Sequence, residues 1–170
     1  MPNDHALLVE GEGRLLLLIS AFGDKGIEGR TKLAKLDFFI RYPAYLWRAL
    51  QIRAPQENRQ VEGIEDAGPI ESRMIRYRYG PWDPSYFTLL GRLIGRGMVG
   101  VVPGRRAFRY RATDQGRQTA ALLASHDAWE STQSRCKLVK RHLDLQGSTL
   151  KDFVYAHFPE VSSARWGEEL

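Results

Sequence analysis

Between Glu71 and Ala120 the chain holds ten arginines, no lysine and three acids (Glu71, Asp83, Asp114), a net charge of +7. The whole chain carries +5, so the other 120 residues sum to −2. Guanidinium is weakly hydrated and forks onto phosphate or carboxylate, so an arginine-only block points to a polyanionic partner. Its spacing adds to that. Arg92 and Arg96 stand one helical turn apart, Arg105 and Arg106 sit in a turn, and Arg109 and Arg111 alternate along a strand. Together the six are the candidate DNA-binding set, suited to lining a duplex backbone. Two blander readings stand beside it: the same arginines meet the acids of a protein partner, or they remain in water. No Asn or Gln on the helix face is offered to fork onto adenine, so no base sequence is implied.

Other chemistry finds little support. The four histidines (His5, His126, His142, His157) are scattered, without a pair four apart, and there is one cysteine, so no metal site is expected. Cys136 and His142 are six residues apart and share no helix face, which leaves Cys136 as a small buried hydrophobe. The run Gly91 to Gly97 lacks the Lys and Ser/Thr of a phosphate loop and reads as the end of a packed helix. Gly11-Glu12-Gly13 reads as a helix-start loop. Asp83 fits a cap or turn. No nucleophile, base or cofactor set converges, so neither a catalytic residue nor a cofactor is expected, and the chain reads as a non-enzyme.

The elements that must position the arginines follow from periodicity. At 170 residues and 19.4 kDa the chain suits one domain with a small appendage. The longest apolar run, Leu15 to Ile19, is too short to span a bilayer, and Met1 to His5 lacks a signal-peptide pattern. With a lone cysteine, these features predict a cytoplasmic protein with no membrane partner. Helices are predicted over Arg14–Phe22, from an N-cap at Thr31 to Tyr42, and over Ala44–Ile52 after Pro43. The second carries Leu33, Leu36, Phe39 and Ile40 on one stripe. Arg53 to Pro69 reads as a loop. A strand is expected over Met74–Tyr79, a turn at Gly80–Pro84, and a helix over Pro84–Arg96. A hairpin of Val99–Val102 and Ala107–Ala112 follows, then a helix capped by Thr113, a basic helix Trp129–Leu143 and a short helix Thr149–Phe158. The fold class is therefore mainly α with a small hairpin (α+β). A helix followed by a basic hairpin is the arrangement of a winged helix-turn-helix. The expected divisions are a winged-helix domain over 12–125, a helical extension over 126–158 and a flexible tail over 159–170.

Trp82, in a proline-flanked turn, and Trp166, in the tail, are hard to bury within one small domain. With Tyr79 they form a candidate partner interface. The segment Tyr110 to Ala120 resembles the exit from the wing in many bacterial winged-helix proteins. More specific are Thr31-Lys-Leu-Ala-Lys-Leu-Asp-Phe-Phe-Ile-Arg-Tyr-Pro43 and Tyr79-Gly-Pro-Trp-Asp-Pro84, the latter followed by Leu89-Leu90 and Gly97-Met98-Val99. This combination resembles the middle component of bacterial ABC three-component systems, which includes the accessory subunit of Lamassu-type defence operons. The resemblance spans roughly Arg14 to Leu123. It implies a non-catalytic winged-helix subunit in antiviral or anti-plasmid defence, partnered by an SMC-like coiled-coil ATPase of the Rad50 type and an effector nuclease, with double-stranded DNA as a further contact. It supplies no catalytic residues to carry over. The alternative is a stand-alone dimeric winged-helix transcriptional regulator, with Trp129–Leu143 as the dimerisation helix.

Overall fold

The computed structural model describes residues 4–56, 74–78 and 80–170. Most of the loop expected over Arg53–Pro69 lies outside that range, as does Tyr79. The described chain is mainly helical with small antiparallel sheets, as its periodicity predicts. It divides into two compact units, and the division does not fall at residue 125. One unit combines residues 1–29 with 84–137. The other combines 30–83 with 138–170. Each is built from stretches far apart in sequence, a property that local patterning does not reveal.

In the first unit, α1 (Asp4–Ala21) is longer than expected and runs straight through Gly11-Glu12-Gly13. Those residues are therefore helix interior, not a starting loop. Their small size has a packing reason. A Cβ on Gly13 would stand 2.6 Å from the Trp129 ring, and one on Gly11 would press on Leu89. From residue 11 to 19 every position is buried, the charged Glu12 and Arg14 included, so α1 is covered around its whole circumference and acts as a central rod of this unit. After a 3-10 turn at Gly23–Lys25, the short strand β1 (Ile27–Glu28) enters a three-stranded sheet.

The same unit continues with α4 (Tyr86–Gly95), then the hairpin β4 (Val99–Pro103) and β5 (Phe108–Ala112), and α5 (Asp114–Ala124). The strand order is β1-β5-β4, with Ile27 opposite Tyr110 and Val99 opposite Ala112. These four side chains are buried and form the sheet's inward face. Thr113 caps α5 as its type and position predict, its hydroxyl accepting the Gly116 N–H at 3.0 Å. Gly116 is obligatory for another reason. A Cβ there would meet the Met98 carbonyl oxygen at 1.9 Å, so the α5 start can approach β4 only without a side chain. α6 (Glu130–Leu143) follows a 3-10 turn at Asp127–Trp129, with its residues up to Lys137 in this unit and those from Leu138 in the other.

In the second unit, α2 (Arg30–Arg41) begins before Thr31, which is thus helical and not the cap. Leu33, Leu36, Phe39 and Ile40 are fully buried, as the stripe predicts. Pro43 opens α3 (Pro43–Arg53) at its first position. Phe38, Phe39, Tyr45 and Phe158 form an aromatic cluster with ring centroids 4.9–5.6 Å apart. β2 (Ile75–Tyr77) pairs with β3 (Gly80–Trp82), so part of the expected turn at Gly80–Pro84 is strand. α7 (Gly147–His157) and α8 (Pro159–Ser163) complete the helices.

The segment 159–170, expected to be a flexible tail, is hydrogen-bonded into this unit. Arg76 donates its N–H to Glu168, Gly167 donates to Arg76, and Leu170 donates to Met74, at 2.8–2.9 Å. The Tyr42 hydroxyl adds a bond to the Leu170 carbonyl at 3.1 Å. These last residues cover the edge of β2 that would otherwise present unpaired backbone groups. Among the described residues, no helix is long and apolar enough to cross a membrane.

Candidate nucleic-acid and partner interface

The six arginines singled out from the sequence all lie in the first unit, on α4 and its C-cap (Arg96) and on the β4–β5 hairpin. The structure separates them into two groups. Arg92 and Arg96 converge on one carboxylate: Glu12 of α1 receives Arg92 Nε on Oε1 and Arg96 Nη1 on Oε2, the latter at 2.9 Å. Glu12 is only 4% exposed, and a buried carboxylate needs such partners. The pair that could share a duplex groove is therefore turned onto an internal acid.

Arg109 is engaged in a similar way. It pairs with Glu28 of β1 at 2.9 Å, directly across the sheet in register. Glu28 also accepts the backbone N–H groups of Arg106 and Ala107, so a single carboxylate clasps the hairpin tip. The backbone N–H of Arg106, helped by the Arg109 guanidinium, lowers the Glu28 pKa from 4.5 to about 2. The stability this clasp contributes is then fully present above about pH 4.5 and is lost as pH falls from there towards 2. Amide exchange at Arg106 and Ala107 is expected to stay slow from neutral pH down to about 5, after correction for the intrinsic rate. It should rise below 4.5, and at neutral pH in Glu28→Gln. Protection unchanged in that variant would rule the clasp out.

Arg105, Arg106 and Arg111 differ. All three are exposed, and no hydrogen bond or ion pair to their guanidinium groups is found among the described residues. Arg111 borders an open concavity of about 530 Å³ on the outer face of the sheet, whose acids Asp24 and Asp114 both pair with Arg117. Of the six arginines, the three with unpaired guanidinium groups all lie on the hairpin.

α4 itself presents Phe87, Thr88, Gly91, Ile94 and Gly95 to solvent. Phe87 is 59% exposed and Ile94 39%. A Cβ at Gly91 or Gly95 would stand in open space, so nothing within the chain requires glycine at either position.

The aromatic set lies in the second unit. Trp82 is half-buried on β3, its ring 6.0 Å from Tyr77. Trp166 is 68% exposed in the turn after α8, while Tyr79 lies outside the described residues. The two stretches that carry the family resemblance meet in this unit. Lys35 of α2 lies with its stem against Gly80 of β3, and Arg41 pairs with Asp83 at 2.6 Å. Lys35 is buried, with the Thr31 carbonyl as acceptor at 3.2 Å. Burial, and secondarily the charge of Lys151, pull its pKa from 10.5 down to about 8.

Sequence reasoning missed Glu12, Glu28 and the Arg41–Asp83 pair. One signal for the first was present: Glu12 stands three residues before a run of four leucines, where an acid must find a cation. Among the described residues, no group of three His, Cys, Asp or Glu is placed to hold a metal ion. No family model, curated protein or solved structure matches the chain.

Proposed function

We infer that the chain is a non-catalytic winged-helix subunit that docks to partner proteins through α4 and touches nucleic acid through its hairpin. The winged-helix reading is supported by the strand order β1-β5-β4, with β1 entering after a helix and the hairpin leaving after α4. The observation that carries the docking is the exposed face of α4. A helix built to read a duplex groove presents polar forks, whereas this one presents Phe87, Ile94 and two glycines with no internal role. Glycine in a helix interior costs about 0.5–1 kcal/mol against alanine, and close approach of another backbone is the physical use that offsets it.

The partners are those the resemblance implies: an SMC-like coiled-coil ATPase and an effector nuclease, in a defence complex acting on phage or plasmid DNA. The alternative of a dimeric regulator is weakened by α6. Its apolar stripe of Cys136, Val139 and Leu143 is buried, which leaves no such seam for a second copy. Tagged chain pulled down from cells carrying its native operon is expected to bring a large coiled-coil ATPase. Recovery of the chain alone, or of a homodimer, would favour the regulator. The double substitution Gly91→Ala/Gly95→Ala separates docking from folding by sign. It should raise thermal stability by about 1–2 kcal/mol for the two positions together while reducing partner recovery. If recovery stays at the wild-type level, α4 is not the docking face.

A further inference from the structure

The tip of the β4–β5 hairpin combines features that backbone contact alone does not require. Phe108 is 65% exposed and lies opposite Pro103 in register. With Val101, it extends the inward face of the sheet beyond the buried Val99, Tyr110 and Ala112 into solvent. Arg105 and Arg106 precede it, their guanidinium groups without partners among the described residues, while Arg111 stands on the other face of the sheet.

The turn that carries the ring is braced. Glu28 fixes the backbone at Arg106 and Ala107. Gly104 lies so close beneath that a Cβ would meet the Ala107 carbonyl at 2.2 Å and the Glu28 carboxyl carbon at 2.9 Å. A large apolar ring kept in water on a braced turn, next to two unpaired cations, is suited to a ligand that is anionic and has a flat face. Nucleic acid meets both conditions, but in a continuous duplex each base face is covered by its neighbours. It is open where bases are unpaired.

We propose that the hairpin tip binds nucleic acid at unpaired bases, with Phe108 stacking on an exposed base while Arg105 and Arg106 hold the flanking phosphates. This rests on the nucleic-acid half of the function inferred above and narrows it from any duplex to gapped or single-stranded stretches.

The test compares binding of the full chain to a continuous duplex and to the same duplex interrupted by a short single-stranded gap, by fluorescence anisotropy at fixed salt. Stacking of one base predicts about tenfold tighter binding to the gapped form. Phe108→Leu keeps an apolar side chain but removes the ring. It should abolish that preference while leaving the continuous duplex and the melting temperature unchanged. Arg105→Gln/Arg106→Gln should weaken both forms and lower the log–log salt slope by about 2. Equal affinity for the two forms, with Phe108→Leu silent, would overturn the stacking site and leave backbone contact standing. Binding to neither form would remove the nucleic-acid half itself and this site with it.

Discussion

Replacing Arg41 by alanine is expected to destabilise the second unit by about 3–5 kcal/mol, the cost of removing one partner of a buried ion-pair network. Arg41 is 1% exposed and Asp37, one turn earlier on α2, is wholly buried. Arg41 Nη1 lies 2.6 Å from Asp83 and 3.9 Å from Asp37, so one guanidinium balances two carboxylates that water cannot reach well. It also ties α2 to the chain leaving β3. Removing Asp83 is milder, because its side chain is 14% exposed and Arg41 keeps Asp37. Asp83→Asn should therefore cost less than half as much as Arg41→Ala. Denaturant unfolding followed with hydrogen exchange in α2 checks both. A loss under about 1 kcal/mol for Arg41→Ala, a size typical of exposed pairs, would show that the network is not what holds this corner together.

Glu12→Gln is expected to alter function as well as stability. It leaves Arg92 and Arg96, four residues apart on α4, with no shared counter-charge. Their side chains are 30% and 48% exposed, so they can turn to water. The fold then loses about 1–3 kcal/mol for the charge-assisted hydrogen bonds. Two released guanidinium groups become available to phosphate, and the log–log salt slope of duplex binding should steepen by about 2. A slope equal to that of the wild type, in a variant that is measurably less stable, would mean that Arg92 and Arg96 serve packing only. In the native chain, Glu12 keeps the basic potential of this unit at the hairpin and leaves the α4 face apolar, as protein docking requires.

Charge counting on the sequence located the arginine block correctly but could not assign it. Six arginines of one type at suggestive spacings look alike. Three of them pair with acids 80 to 84 residues away, at Glu12 and Glu28. The separation of Arg105, Arg106 and Arg111 from the others depends on where those two acids are carried by α1 and β1. In the same way, the expected interface of Trp82, Tyr79 and Trp166 was an argument from awkward burial. The fold partly buries Trp82 on a strand and leaves Trp166 exposed.

Sequence alone determined what depends on near neighbours. The buried stripe of α2, the start of α3 at Pro43, the cap at Thr113 and the alternating hairpin follow from spacings of two to four residues, where side chains share a face whatever the rest of the chain does. The tertiary structure alone decided what depends on distant partners. It made Gly11 and Gly13 seats for Leu89 and Trp129 within one helix. It turned the last residues into an edge for β2, and brought two distant stretches together at Lys35, Gly80, Arg41 and Asp83. Arg41, Glu12 and Glu28 are fixed by the charges they meet, and Asp83, Arg92 and Arg109 lie 42 to 81 residues away from them in the sequence.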